Sequence, residues 1–405
     1  DISYDIESIR LKQAFEQKGF LVNSIVITQF SYQDKAIRFE KYLDNLSIKH
    51  YRTYNINGYP NDIDHILSKD GFGQNDYVPT SRPLVVVTGP GPGSGKMATC
   101  LSQMYLDHEN GQRSSYAKFE TFPIWNLGLM HPVNMAYEAA TANLNDINMI
   151  DPYHLEAYGT SAVNYNRDVE AFPVLKKMLE KIMGEAPYKS PTDMGVNMVG
   201  FCIIDEEAAI EASKEEIIRR YYNSLVDFRF AKESYTSIEK IQTLMSNLDI
   251  KAEDRKVAIA ARKKQDLTGK DSFAIELEDG KIITGKKSNL FSAPAAAILN
   301  TLKKLGKIDD EILLLSPHII EPVSKLKTES LGESEPSLSI NEMLIALAIS
   351  ATTNPLTHMA MEEIKNLKDL DAHSTVILND SEKSELRKLG LNFTQDAVFG
   401  DDSEY

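Results

Sequence analysis

Cysteine is nearly absent from this 405-residue chain: there are two, Cys100 and Cys202, each in an apolar stretch and neither in a CxxC. A disulfide scaffold is thereby excluded, and a reduced, cytoplasmic compartment is the expectation. Long hydrophobic runs are missing too. Residues 84–88 and 343–351 are among the longest, well short of the roughly 20 a membrane helix needs, so no span is expected. No charged-then-apolar leader opens the chain, which starts at Asp1 rather than Met and so reads as an internal piece of a longer product. Positive charge is in short supply, 44 Lys and Arg against 59 Asp and Glu, for a net charge of −15. Such a surface repels phosphate backbones and anionic lipid, which excludes generic nucleic-acid and membrane-surface binding. It leaves open a small anion held at short range by backbone dipoles. HExxH and GxSxG are absent as well, so a zinc or serine peptidase has no support.

What is present is ordinary globular composition, 42% apolar and 25% charged. The length implies two or three domains, with a core that needs neither disulfide nor structural metal. The first third alternates in the α/β manner. Helices are expected over residues 9–17, 33–45 and 61–68, the first stopped by Gly19 and the last capped by Asn61. An apolar, β-branched strand is expected over 21–28, with further strands over 48–54 and 84–88 and another at 114–117. Strands separated by helices favour a parallel sheet, with the ligand at the strands' carboxyl ends. Residues 130–250 read as a mostly helical insertion, with helices in 135–142, 167–183 and 206–230. A short strand is expected at 256–261, then a hairpin around Glu278-Asp279-Gly280, a helix at 293–305, a strand at 311–315, helices within 340–367, a strand at 375–378 and a frayed acidic tail from Gly400. The fold class is therefore α/β: a P-loop-like parallel-sheet domain over 1–250 with its helical middle region, and a second, smaller α/β domain over 251–405.

The sharpest motif follows residues 84–88: Gly89-Pro-Gly91-Pro-Gly93-Ser94-Gly95-Lys96. A strand feeding a glycine-rich turn feeding a helix is the context a phosphate-binding loop requires. Successive N–H groups of Gly93, Ser94, Gly95 and Lys96 can point into one concavity, where the helix dipole adds about half a positive charge. Lys96 adds a full one, and glycine permits the positive φ and close approach that a phosphate demands. Gly91 completes the expected binding set. The match departs from consensus in two places. Pro90 holds the first glycine position, and Met97 holds the position of the magnesium-ligating hydroxyl, whose nearest substitute is Thr99.

Other candidates are assigned beside the loop. Asp205 closes an apolar stretch, residues 199–204, as a magnesium-positioning carboxylate does in phosphoryl transfer, and it equally suits the cap of the next helix. His131, Asp146, Asp151 and His154 lie within 24 positions and could ligate a metal, although the spacing fits no standard motif and two of them precede proline. Lys118 and Glu120 follow the expected strand at 114–117, on its ligand side. Asn164, Asn166, Arg167 and Asp168 open a helix, where Arg167 could clamp a phosphate and Asp168 could act as a base. Asp193 and Asn197 belong to a turn-rich polar segment suited to a substrate loop.

With those residues in place, the chain resembles a bacterial family catalogued as domain of unknown function 1846, an uncharacterised protein family. The stretches carrying the resemblance are 85–100, 116–125, 148–168, 190–201, 215–222 and 373–378, and it extends over essentially the whole chain. The resemblance implies a cytosolic bacterial protein with two α/β halves and a further N-terminal segment. Some members carry the label ATP-dependent peptidase, for which this sequence offers no constellation.

The leading expectation is a phosphotransferase or NTPase acting on a small phosphorylated ligand, with ATP or another nucleotide and Mg²⁺ as cofactors and a homo-oligomer as the assembly. Gly93 to Lys96 would hold the phosphates, Lys96 would neutralise developing charge, Asp205 would place the metal, and the polar residues from Lys118 to Asn197 would form the acceptor pocket. The alternatives are a non-hydrolytic anion- or metabolite-binding regulator, and an assembly protein with a vestigial loop.

Overall fold

The structure is a computed structural model that describes residues 4–91, 93–119, 122–196 and 199–400. The chain divides into two compact units, one of Asp1–Leu129 with Asn148–Cys202, the other of Met130–Ile147 with Ile203–Tyr405. Residues 203–249, expected within the N-terminal domain, thus pack with the C-terminal residues.

In the first unit, α1 (Tyr4–Gln17) is followed by β1 (Ile25–Phe30), α2 (Asp34–Asn45) and β2 (His50–Tyr54). β1 and β2 pair in parallel, Ile25 opposite His50, with the register breaking between Ile27 and Phe30. The short α3 (Ile63–Ile66) is capped by Asp62, whose carboxylate accepts from His65 N at 3.2 Å, and not by Asn61 as the sequence implied. α4 (Lys96–Glu109) follows the glycine-rich loop and β3 (Lys118–Phe119) comes next. After α5 (Pro132–Ala140), which belongs to the second unit, the chain returns through β4 (Asn148–Ile150), α6 (Pro152–Tyr158), β5 (Val163–Tyr165), α7 (Asn166–Met183), α8 (Pro191–Met194) and β6 (Gly195–Val196). β3 pairs with β6 in parallel and β4 with β5 antiparallel. Val169, Phe172, Leu175, Met178, Leu179 and Ile182 recur at three- and four-residue spacing on α7 and are all buried. Leu175 to Ile182 close a core with Leu101, Met104 and Tyr105 of α4 and with Ile66 and Phe72.

The expected P-loop-like parallel sheet is not found among the described residues. Residues 84–88, expected as a buried strand, are in no ladder among the described residues. Leu84, Val85 and Val86 are 81%, 52% and 78% exposed. An apolar, β-branched run encodes extended backbone, but a parallel strand is buried only when neighbours flank it and helices cover both faces. Here the parallel sheet stops at β1 and β2. Residues 114–117, also expected as a strand, are in no ladder among the described residues, and the two-residue β3 follows them.

The second unit holds α5, α9 (Glu206–Arg229), α10 (Tyr235–Asn247) and α11 (Lys256–Thr268), then β7 (Ser272–Glu276), β8 (Ile282–Lys286), α12 (Ala293–Leu305), α13 (Pro317–Lys325), α14 (Ile340–Ala351), α15 (Pro355–Glu362), β9 (Asp371–Ser374), α16 (Asp380–Lys388) and β10 (Asn392–Gln395). The sheet order is β10-β9-β7-β8, with β7 antiparallel to both neighbours and β10 parallel to β9. β7 is buried on both faces. Phe273 and Ile275 face the large core with Ile298, Leu302 and Leu347, whereas Ala274 meets Val257 and Ala261 of α11. That contact explains why 256–261 is helix and not the expected strand: Val257, Ala258 and Ala261 share one helical face, and the alanine-rich sequence favours it. Residues 311–315 make no ladder among the described residues, and the last expected strand at 375–378 forms earlier, as β9. The acidic tail beyond Gly400 lies outside the described residues.

No helix among the described residues is long and apolar enough to cross a membrane.

Candidate functional site

The glycine-rich loop supplies the most defined local geometry. Gly93 and Gly95 take φ of +72° and +81°, the left-handed region that costs other L-residues roughly 1–2 kcal/mol each. At Gly95 a Cβ would also stand 2.9 Å from the Thr28 side chain. Sequence and packing therefore agree on glycine. Gly95 caps α4, and Thr99 N bonds back to Gly95 O at 2.9 Å. Lys96 turns inward on its own loop: Nζ donates to Gly91 O at 2.9 Å and to Ser94 Oγ at 3.2 Å. Thr28 Oγ1, near the carboxyl end of β1, donates to Ser94 O at 3.2 Å and ties the loop to the parallel strand pair. Thr99 is buried one turn inside α4, and Met97 is 36% exposed where the hydroxyl was sought.

A second polar cluster in the same unit gathers several sequence candidates. Lys118 Nζ contacts both carboxylate oxygens of Asp168, Oδ2 at 2.6 Å, and donates to the Tyr165 hydroxyl. The Arg167 guanidinium lies 5.4 Å from the Tyr165 ring centre, in cation–π range. Lys118 and Asp168 thus neutralise one another, an ion pair held by β3 and the first turn of α7. Asn166 is the first residue of that helix.

A third group surrounds α8. The fully buried Asp151 caps α6, accepting from Tyr153 N and His154 N, and its other oxygen accepts from Thr192 Oγ1 at 2.6 Å. Asn164 Nδ2 donates to Thr192 Oγ1 at 3.3 Å. Ser190 Oγ caps α8 by accepting from Asp193 N at 2.9 Å and stands 3.0 Å from His154 Nδ1. Asp193 accepts from Tyr158 OH and Lys189 N, and its carboxylate holds the Tyr158 phenol above the usual range. Glu120 and Asn197 lie outside the described residues.

The remaining candidates belong to the second unit. The strand expected to end at Asp205 is not formed: Val199–Cys202 is a 3₁₀ turn, and exposed Asp205 caps α9 by accepting from Ala208 N at 3.0 Å. His131 caps α5 through Nδ1 and meets Glu206 at 3.2 Å through Nε2. His131 and Asp146 sit in this unit, Asp151 and His154 in the other. Among the described residues no three His, Cys, Asp or Glu side chains cluster as a metal site.

Sequence reasoning missed the residues at the carboxyl ends of β1 and β2. Thr28, Gln29, Thr53 and Asn55 line a small cavity with Tyr59 and Gly95. The signal was available, as polar residues closing two expected strands just where a parallel pair presents its ligand edge.

Fold and motif together describe an α/β protein with a glycine-rich loop at the start of α4. The family model for domain of unknown function DUF1846, N-terminal, matches residues 1–249, and its C-terminal counterpart matches 253–405. The chain belongs to this family. It is 56% identical over 404 residues to proteins named UPF0371 protein from Streptococcus pneumoniae strains CGSP14 and JJA, covering all of this chain and 82% of each relative. The relatives' names record no reaction.

Proposed function

We propose that the chain binds a phosphorylated small molecule, a nucleotide among the candidates, at the loop from Gly91 to Lys96. The observation that carries the reading is the pair of left-handed glycines with the Lys96 ammonium turned onto the loop. An ammonium resting on Gly91 O and Ser94 Oγ is placed to exchange those neutral acceptors for a phosphate, a stronger, charged one. The helix dipole of the 14-residue α4 acts in the same direction.

Binding without turnover is the version the residues favour. Met97 offers no hydroxyl to a metal, and the Asp205 carboxylate is engaged as a helix cap. Calorimetric titration with inorganic phosphate and with ATP, each with and without Mg²⁺, tests the reading. A charged hydrogen bond of about 1.5–3 kcal/mol predicts that Lys96→Ala weakens binding roughly ten- to hundredfold. Absence of binding by the wild-type protein at millimolar anion removes the proposal. Phosphate release from ATP in the presence of Mg²⁺ would restore the phosphotransferase reading over the binding one.

A further inference from the structure

The cavity beside the loop narrows the ligand class. We propose that it receives the uncharged, hydroxyl-bearing part of a small polyol or sugar phosphate; this rests on the anion reading of the loop. Gly95 belongs both to the loop and to the cavity wall, so a ligand anchored at Lys96 has this cavity beside it for its remainder. The cavity lies at the carboxyl ends of β1 and β2, where parallel strands present ligands. Its existence follows from the local backbone. The register of β1 against β2 breaks after Ile27, and Gln29 takes a left-handed φ of +51°, so the strand ends separate before Phe30 re-pairs with Tyr54.

Size excludes a nucleobase. The cavity measures about 70 Å³, against roughly 300–1,000 Å³ for pockets that enclose drug-sized ligands. At about 10–15 Å³ per water-sized group it accommodates around five such groups. Charge excludes an amine or a second carboxylate, because no ionised side chain lines it. Its polar wall is made of hydroxyls and amides, Thr28, Thr53, Tyr59, Gln29 and Asn55, over an apolar floor that includes Phe72. Asn75, which also lines it, is committed elsewhere: it accepts from Tyr54 N and donates to Ser102 Oγ, both at 2.8 Å, and so fixes the wall. Neutral donors and acceptors over a small apolar base match alternating C–H and O–H groups, while the ligand's charge stays in the loop.

Calorimetry with inorganic phosphate, glycerol phosphate, ribose phosphate and ATP tests this on the full chain. The expected result is a polyol phosphate bound at least tenfold tighter than inorganic phosphate. Asn55→Ala and Thr53→Val should each remove most of that gain and leave the affinity for inorganic phosphate within twofold, whereas Lys96→Ala weakens every anion. Polyol phosphates binding no tighter than inorganic phosphate would overturn this inference and leave the loop reading standing. An equal gain in wild type and in both cavity variants, or ATP as the tight ligand with those variants unaffected, would overturn it as well. If no anion binds, inorganic phosphate included, the loop reading fails and the inference falls with it. Circular dichroism of Asn55→Ala, an exposed position, confirms that loss of the gain is not loss of fold.

Discussion

Arg255 is the largest fully buried side chain among the described residues, 1% exposed, and its removal gives a stability prediction with a sign in pH. It enters α11 and reaches the edge of the C-terminal sheet. Nε donates to Thr394 Oγ1 at 2.9 Å, Nη1 to Glu215 Oε2 at 3.0 Å, and Nη2 to Asp371 Oδ1 at 3.0 Å, Ala372 O at 3.2 Å and Asn392 O at 2.7 Å. One guanidinium thus joins α9 to both parallel strands β9 and β10. Breaking a buried pair costs about 3–5 kcal/mol, because the partners are left desolvated and unpaired. Glu215 and Asp371 are 28% and 30% exposed, which lets water reach them and argues for the lower end, about 3 kcal/mol. For a unit of this size that lowers the melting temperature by roughly 6–12 °C. Burial already holds Glu215 above the usual carboxylate range against the pull of Arg255. In Arg255→Ala that pull is gone, so the folded-state pKa rises further above the unfolded one. A carboxyl raised in this way stabilises the fold below the unfolded value and loses that contribution as pH rises through the folded value. The deficit of Arg255→Ala against wild type should therefore be smaller near pH 5 than at pH 8. Thermal and urea unfolding followed by circular dichroism at both values reads it. A loss under about 1 kcal/mol, well below the cost of breaking a buried pair, or a deficit that grows on acidification, refutes the reasoning.

Three further outcomes follow from other positions. Gly93→Ala adds only the left-handed penalty of about 1–2 kcal/mol, since nothing stands within 4 Å of its Cβ; Gly95→Ala adds a 2.9 Å contact with Thr28. Chemical denaturation should rank Gly95→Ala as the costlier, and equal losses would show that Thr28 moves freely. His373 is fully buried beside Thr394, Asp396 and the Tyr222 ring, with Arg255 and Arg262 on Thr394 and Asp396, and burial holds it below its ordinary value of 6.5. Its stabilising contribution is complete above about 6.5 and is lost as pH falls toward the depressed folded value. Melting curves of His373→Gln should accordingly flatten with pH below about 6.5 relative to wild type, and an unchanged acid slope would contradict this. Burial pushes the Cys100 thiol up to about 11, whereas Cys202 is exposed. Iodoacetamide at pH 8 should modify one thiol per folded chain and two per unfolded chain, as mass spectrometry reads directly.

How much of this was legible in the sequence depended on whether a signal was local. The helix expected after the glycine-rich turn forms over Lys96–Glu109 because its start is written in adjacent residues: a left-handed glycine, then a run free of glycine and proline. Asp151 and Ser190 cap α6 and α8, each followed by a proline at the first helical position, a local signal that the sequence reading passed over in taking Asp151 for a metal ligand. Burial is not local. Residues 84–88 have the composition of an interior strand, yet whether such a run is interior is decided by neighbouring strands that its own sequence does not name. The run at 256–261 failed in the opposite direction, since Val257 and Ile259 alternate like a strand while the sheet below selects the helical face of Val257, Ala258 and Ala261. Lys118 and Asp168 were both picked out, but as separate acceptor-site residues; that they neutralise each other required the fold.

On the proposed reading, Met97 in α4 and Asp205 at the cap of α9 separate holding a phosphate from transferring one. Holding needs backbone donors, one cation and room for the oxygens, which are contributions of Gly93, Ser94, Gly95 and Lys96. Transfer also needs a metal fixed by a hydroxyl and a carboxylate so that charge developing between the phosphates is met in place. Met97 removes the first of these, and the hydrogen bond from Ala208 N to Asp205 engages the second in capping α9. Met97 lies one residue beyond Lys96 in α4, outside the holding set. A loop that keeps the inexpensive part of the machinery and lacks the metal-fixing part is consistent with reversible capture of a phosphate ester. Restoring the hydroxyl is the decisive perturbation: Met97→Thr should leave the affinity for inorganic phosphate unchanged within about twofold and make nucleotide affinity newly dependent on Mg²⁺. If Met97→Thr abolishes phosphate binding outright, Met97 belongs to the holding set and the separation is wrong.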